Sequence, residues 1–315
     1  MTKALLCVAL ALFPGLTCAQ AQSQTNPPAA TQPQTAAPKP STPAAWLDRR
    51  VRDEVAKFEG TVYLYAKNLD TGAEYSFGGE ERVRTASTIK IAIMIEAFAR
   101  VSEGKAKWTD DLVLTKEKKV SGSGILQEFT EGLHLTLHDV VMLMMLMSDN
   151  SATNLVIDAL GGADTVNARM QSLGMTDTRL MRKIGGGGDS LEGKKEENKR
   201  FGLGRTSPRE MVMLVEKLER GEIVSPAVSK EMIDLMKREQ TQDGIWRELW
   251  RLPRATKSGA LDALRSNVGI IYHPRGRIAL AITCDDMPEQ NWTADNPAFH
   301  IMSRLSEIII DGLGK

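Results

Sequence analysis

Apolar residues recur at helical spacing in "AAWLDRRVRDEVAKFEG" (44 to 60), where Trp46, Leu47, Val51, Val55 and Phe58 share one face ahead of a glycine stop. That pattern predicts an amphipathic opening helix. In "TVYLYAKNLDTGAEYSFGG" (61 to 79) the period changes to two on either side of Asp70-Thr71-Gly72, which predicts a β-hairpin. From 87 to about 235 the helical period dominates, in "IAIMIEAFARVSEG", "LHDVVMLMMLMS", "NSATNLVIDALGG", "ADTVNARMQSLG" and "SPREMVMLVEKLERG", several of them ending in Gly. Strand patterning returns in "RATKSGAL" and in "VGIIYHPRGRIALAITC", the latter with a Pro-Arg-Gly turn at its centre, and "NPAFHIMSRLSEIIIDGL" closes as a helix. The order predicts an α/β fold: an antiparallel sheet flanked by N- and C-terminal helices, built from 45–84 and 236–315, with an all-helical domain (85–235) inserted. A cleft between the two lobes is the expected place for a site.

The composition adds mostly exclusions. With 315 residues, 42% of them hydrophobic, the chain has ample material for a core. Its 40 basic and 40 acidic residues balance, no long basic run occurs and aromatic residues are only 5%, so a nucleic-acid partner is not expected. The N-terminus carries more information. A short positive start (Met1-Thr2-Lys3), the apolar run 4–13 and the small-x-small "AQA" at 19–21 predict a cleaved secretory signal over 1–21. A lipoprotein reading at Cys18 ranks behind it, because "GLTC" lacks the flanking apolar and small residues. Residues 22–44, rich in Pro, Ala, Thr and Gln, hold too little apolar bulk to offset ordering entropy and read as a disordered tether to the domain 45–315. Cleavage would remove Cys7 and Cys18 and leave Cys284 alone, without an intrachain disulfide. The expectation is a secreted, periplasmic monomer with no stable membrane anchor.

Three polar clusters interrupt this pattern. In "TASTIKI" (85 to 91), Ser87 and Lys90 lie one helical turn apart on one face. A serine hydroxyl becomes a nucleophile when a base takes its proton, and a lysine serves once burial or neighbouring positive charge lowers its pKa. The competing reading is an ordinary helix cap. Ser148-Asp149-Asn150 falls between two helical runs; its members cap helices, but in a cleft a second serine relays a proton to a leaving group and an Asn amide holds a substrate carbonyl. Lys257-Ser258-Gly259 sits on a predicted strand, where Lys supplies charge for a carboxylate and Gly lets a substrate backbone come close.

In this order, the three clusters form the signature of penicillin-recognising serine enzymes, and the chain over 45–315 resembles class A β-lactamases and their serine-hydrolase relatives. "SDNSATNLVIDALGG", with Asn154, "TSPREM" (206 to 211) and the "VGII" that follows Lys-Ser-Gly resemble the family at further points. The resemblance implies Ser87 as the acylated nucleophile, Lys90 as its activating partner and Ser148 as relay to the leaving nitrogen. Asn150 would contact the substrate amide, and Lys257 with Ser258 would anchor its carboxylate beside Gly259. The backbone N–H groups of Ser87 and Ala260 would form the oxyanion hole, donors worth roughly 3 to 4 kcal/mol each. Arg265 is the candidate for the family's further carboxylate-binding arginine, with Arg275 and Arg277 as substitutes.

One element departs from the family. Its deacylating Glu normally lies two residues after an Arg; aligning Arg182 on that Arg puts Ile184 at the Glu position and Gly188 at that of a following Asn. A Gly- and charge-rich segment follows; counting back from Thr206-Ser207-Pro208 lands near Leu191 and Glu192, which makes Glu192 the candidate acid, with Glu197 beside Asn198 as another. Without a base the acyl-enzyme forms yet hydrolyses slowly, since acylation and deacylation are separate barriers. The first expectation is therefore a serine β-lactamase opening the β-lactam ring through Ser87. The alternatives are a D,D-peptidase or penicillin-binding protein acting on peptidoglycan stem peptides, or a sensor without turnover. No cofactor and no metal is called for: the glycines at 185–188 lack the Lys-Ser/Thr of a phosphate loop, and His134 and His138 lack an accompanying Glu. The Met-rich run before Ser148 reads as core packing, and Cys284 as a small buried hydrophobe.

Overall fold

A computed structural model describes residues 45–314; the proposed signal segment and tether, with Cys7 and Cys18, lie outside the described residues. Helix α1 (Ala45–Val55) is followed by strands β1 (Thr61–Asn68), β2 (Glu74–Phe77) and β3 (Val83–Arg84). Then come α2 (Lys90–Ser102), β4 (Asp111–Leu114), β5 (Leu133–Thr136), α3 (Leu137–Leu146), α4 (Asn150–Ala159) and α5 (Ala163–Ser172). The second half holds β6 (Arg179–Leu180), β7 (Gly204–Thr206), α6 (Pro208–Glu219), α7 (Pro226–Met236), β8 (Arg254–Leu261), β9 (Leu264–His273), β10 (Gly276–Asp285) and α8 (Pro297–Leu313).

Both ends of the described chain meet in one antiparallel sheet of order β2-β1-β10-β9-β8. Val62, Leu64 and Ala66 of β1 alternate with Tyr65, so one face carries an aliphatic row and packs with Ile278, Leu280 and Ile282 of β10 under α1 and α8. The opposite face, with Tyr65, Ala279, Ala281, Val268 and Ile270, joins the core of the helical lobe through α6, which lies across β1, β9 and β10. Two apolar layers thus use the two faces of one sheet, since successive side chains of a strand point to opposite faces. Within the helical lobe, every residue of α2 from Lys90 to Ala99 is buried. A helix that is apolar nearly all round has to be surrounded, and α3, α4, α5 and α7 surround it.

The hairpin around residues 70–72, strand β8 over "RATKSGAL", the β9–β10 hairpin and the closing helix all stand where the sequence places them. Two features depart from the reading of 87–235 as helical. Strands β4 and β5 pair there, and β7 pairs with β3 and β6 in a small second sheet that ties the ends of the lobe together. Helix α7 is not among the segments whose spacing predicts a helix, although Ser225 caps it with a proline at its first turn. Cys284 is a free thiol buried in β10.

Trp246 is fully buried under α8 among Ile245, Met302 and Leu305, and its indole N–H has no partner. Trp246→Ala is expected to cost about 3–5 kcal/mol through the cavity it leaves, read from the urea midpoint at constant m-value. Trp246→Phe should cost less than half of that, because it also removes an unsatisfied donor.

Candidate active site

The chain leaves β3 through Ala86, a non-glycine residue at φ +46°, and enters a 3-10 turn over Ala86–Ile89 before α2 begins at Lys90. A left-handed alanine costs about 1–2 kcal/mol and persists when its surroundings over-determine it. Here the surrounding is β8. A Cβ added at Gly259 would lie 2.9 Å from the Thr85 carbonyl oxygen, 3.0 Å from the Ser87 nitrogen and 3.1 Å from the Thr88 nitrogen. The close approach that Gly259 permits is therefore that of the Ser87 turn, packed directly on the strand, rather than that of a substrate backbone. Ser87 is half-exposed and faces the cleft.

Lys90 is completely buried. Its Nζ lies 2.6 Å from the Ser148 carbonyl oxygen, 3.1 Å from Ser148 Oγ and 3.3 Å from Asn150 Oδ1. Burial, with the Lys257 ammonium adding to it, holds Lys90 well below the usual lysine value, against the opposing pull of Asp149. In all three contacts Lys90 Nζ donates, to the Ser148 carbonyl, the Ser148 hydroxyl oxygen and the Asn150 amide oxygen. None of these contacts is to Ser87 Oγ, so the pair expected from "TASTIKI" is not hydrogen-bonded in this arrangement. Ser148 itself is left-handed at φ +55°. Asp149, just after it, is buried and caps α4 through Ala152 N–H at 2.8 Å while accepting the N–H groups of Ile125 (2.7 Å) and Leu126 (2.8 Å). Asn150 donates to the Ser121 carbonyl at 2.9 Å. Capping and site-building are thus done by neighbouring residues of one tripeptide.

Strand β8 is the open edge of the sheet. Ser258 N–H points off that edge to Glu239 at 3.2 Å, and the two-residue period sends Ala260 N–H the same way, towards the cleft that Ala260 lines. Ser87 N–H, in the first turn of a helical segment, is likewise left without a carbonyl acceptor. These are two convergent donors beside one hydroxyl, the arrangement that stabilises an oxyanion. Lys257 is fully buried behind them, 3.5 Å from the Glu239 carboxylate. Burial pushes the Lys257 ammonium down and Glu239 opposes that shift; burial pushes Glu239 up, but Lys257 and three hydroxyls outweigh it and hold the carboxyl below its usual range.

The cleft, about 610 Å³, is lined by Ser87, Asn150, Ile184, Phe201, Ala260 and Trp292, among others. Ile184 is held there by its backbone: Asn154 accepts its N–H and donates to its carbonyl, each at 2.9 Å. Neither Glu192 nor Glu197 lines the cleft. Glu192 pairs with Lys195 at 2.6 Å and receives the Asn198 amide at 3.1 Å, and Lys195, first among its partners, keeps its carboxyl below the usual range. Arg265 is also elsewhere. It stands directly opposite Ala260 in the β8–β9 register, so its side chain leaves the sheet on the face away from Gly259 and the Ser87 turn. There it donates to the carbonyls of Leu261, Leu264 and Asn291 and stacks 4.5 Å under Trp292. Arg275 and Arg277 pair with Asp311 and Asp70 at the far end of the β9–β10 hairpin. The arginines that do line the cleft are Arg84, Arg182 and Arg200.

The sequence profile of the β-lactamase enzyme family matches residues 46–313, which is nearly the whole described domain. The chain belongs to that family. It is a serine hydrolase of the class A β-lactamase type, with the antiparallel-sheet α/β fold of that group. β-Lactamase AER-1 of Aeromonas hydrophila is 26% identical over 232 residues, covering 72% of this chain and 74% of the relative. Among solved structures, PBP-A is 27% identical with a TM-score of 0.75, covering 87% of this chain and 97% of PBP-A. A β-lactamase from Sphaerobacter thermophilus is 29% identical with a TM-score of 0.73, covering 85% and 96%. A variant of PBP-A has also been solved as an acyl-enzyme complex with penicillin G.

Glu239, Trp292, Phe201, Arg84 and Arg200 are not among the residues the sequence points to. Glu239 lies in a polar stretch after a helix that was itself overlooked, and Trp292 is a lone aromatic in a polar loop. Neither position follows a periodic pattern. The Gly259 contact gives a direct test: Gly259→Ala should displace the Ser87 turn and slow reaction with a β-lactam roughly 100-fold, a typical cost of misplacing reacting groups, while far-UV circular dichroism stays unchanged.

Proposed function

We propose that this enzyme transfers the acyl group of a β-lactam, or of a cell-wall stem peptide, to Ser87 Oγ and releases it slowly. Neutral Lys90 takes the Ser87 proton as Oγ attacks the carbonyl carbon. The carbonyl oxygen gathers charge facing the N–H groups of Ser87 and Ala260. When the C–N bond breaks, Ser148 passes a proton to the leaving nitrogen, and Lys90 is its neighbour at 3.1 Å for replenishment. Asn150, on the cleft wall, is placed to contact the acyl side chain.

The observation that carries slow release is Ile184. Its backbone is clamped by Asn154 and it lines the cleft at the position the family resemblance gives to a Glu. Among the described residues that line the cleft there is no Asp or Glu, and an aliphatic side chain takes no proton from water. Hydrolysis of the ester then lacks the base that typically contributes 100- to 10,000-fold. The PBP-A acyl-enzyme with penicillin G supports this reading by likeness of fold and sequence. Export by the segment 1–21 completes the proposal, in keeping with a cell-wall or β-lactam substrate; no described helix is long and apolar enough to cross a membrane.

A chromogenic cephalosporin mixed with the 45–315 domain is expected to give a burst of about one equivalent and a persistent adduct on Ser87 by mass spectrometry, both absent in Ser87→Ala. Sustained turnover at more than about 1 per second, an ordinary rate for an enzyme, would refute slow release. Ile184→Glu should speed loss of the adduct roughly 10- to 1,000-fold, since it restores a candidate base. The acylation rate should rise with pH and level off well below the ordinary lysine range, because Lys90 acts only as the free amine and its folded value is lowered. Lys90→Met should remove that rising limb together with most of the activity.

A further inference from the structure

Glu239 lies just past α7 and is buried along the open edge of β8. Its Oε1 accepts Ser258 Oγ at 2.6 Å, Thr241 Oγ1 at 2.9 Å and Ser258 N–H at 3.2 Å, with Lys257 Nζ at 3.5 Å; its Oε2 accepts Thr256 Oγ1 at 2.7 Å. Thr241 Oγ1 also covers Ser258 Oγ at 2.9 Å. A carboxylate is recognised by charge and by donors, and this internal one has collected an ammonium, a main-chain N–H and three hydroxyls. The Ser258 hydroxyl has a single proton, and its shortest contact is to Glu239. The Lys257 charge is matched by the Glu239 charge. Although Ala260 and Leu261 of the same strand line the cleft, Ser258 does not.

We propose that Glu239 fills, from within the protein, the place where a substrate carboxylate would bind on Lys257 and Ser258, so that the enzyme selects acyl donors that carry no anion beside the leaving nitrogen. This rests on acylation at Ser87 as proposed above. A free carboxylate entering there meets a like charge and donors already in use, whereas an ester or amide needs neither the ammonium nor the hydroxyl. Glu239 acts as a positioning residue through Lys257 and Ser258 and does not touch the reacting atoms.

Benzylpenicillin and its methyl ester differ at that carboxylate alone. The measurement is the second-order rate of Ser87 adduct formation with each, by mass spectrometry. The wild-type enzyme should react with the two at rates within about threefold, and Glu239→Gln, which keeps the shape and removes the charge, should shift the acid-to-ester ratio roughly 10- to 100-fold towards the acid, the usual worth of a charged hydrogen bond. Changes in the field of Lys257 at Lys90 alter both rates alike and cancel in the ratio. The wild-type ratio needs no variant, so it stands even where Glu239→Gln, with Lys257 unpaired, does not fold. A wild-type preference for the acid above tenfold would overturn the proposal, as would an unchanged ratio in folded Glu239→Gln. If neither compound labels Ser87, acylation there fails, and this selection with it.

Discussion

Complete burial of the Lys90 amine constrains more of this structure than any other interaction. An ammonium removed from water is costly unless it is paired and hydrogen-bonded or gives up its proton, and Lys90 begins a helix buried along its length from Lys90 to Ala99. The protein meets the cost with acceptors from one tripeptide, the Ser148 carbonyl and hydroxyl and the Asn150 amide oxygen. Presenting that carbonyl requires Ser148 in a left-handed conformation. The strain is held by Asp149, whose carboxylate caps α4 and binds the 125–126 backbone, and by Gly124, where a Cβ would collide with Asp149. The chemistry of the site and the packing of α2, α3 and α4 are thus one problem with one solution.

Lys257 poses the same problem a strand away and is solved differently. Instead of neutral acceptors it receives a buried carboxylate, Glu239, with hydroxyls of Thr241, Thr256 and Ser258 around it. The two lysines are linked, since the Lys257 charge helps lower Lys90. Burial lowers both amines, Lys90 with the Lys257 charge adding to the shift and Lys257 against the opposing pull of Glu239. Between them runs the contact of the Ser87 turn with Gly259, which sets that turn directly against the strand.

Much of this was legible in the chain. Residues within one turn or one tripeptide are brought near each other by covalent connection, and these groupings are visible in the sequence: Ser87 with Lys90, Ser148 with Asn150, Lys257 with Gly259. The alternation of β1, β9 and β10 and the apolar belt of α2 follow from period alone, since burial rewards the same spacing along the whole element. Ile184 was also legible, because counting from Arg182 needs no tertiary information, and Asn154 clasps that same residue. The β4–β5 pair and α7 were not, as a four-residue strand carries little periodic signal and a helix with polar interruptions competes poorly with its neighbours.

What stayed hidden depends on which face or edge a residue occupies after folding. Arg265 has the right type and nearly the right position to hold a carboxylate, yet one step of strand register sends it to the far side of the sheet under Trp292. Glu192 has the right charge, but Lys195 and Asn198 hold it away from the cleft. Glu239 looks like any solvated acid in the sequence and becomes the partner of Lys257 only because the chain after α7 runs along the edge of β8. Local spacing thus specifies which polar groups sit together within a turn or tripeptide, as those are set by bonds. The charges that tune them are specified by long-range packing, because electrostatic partners are chosen by distance in space and not along the chain.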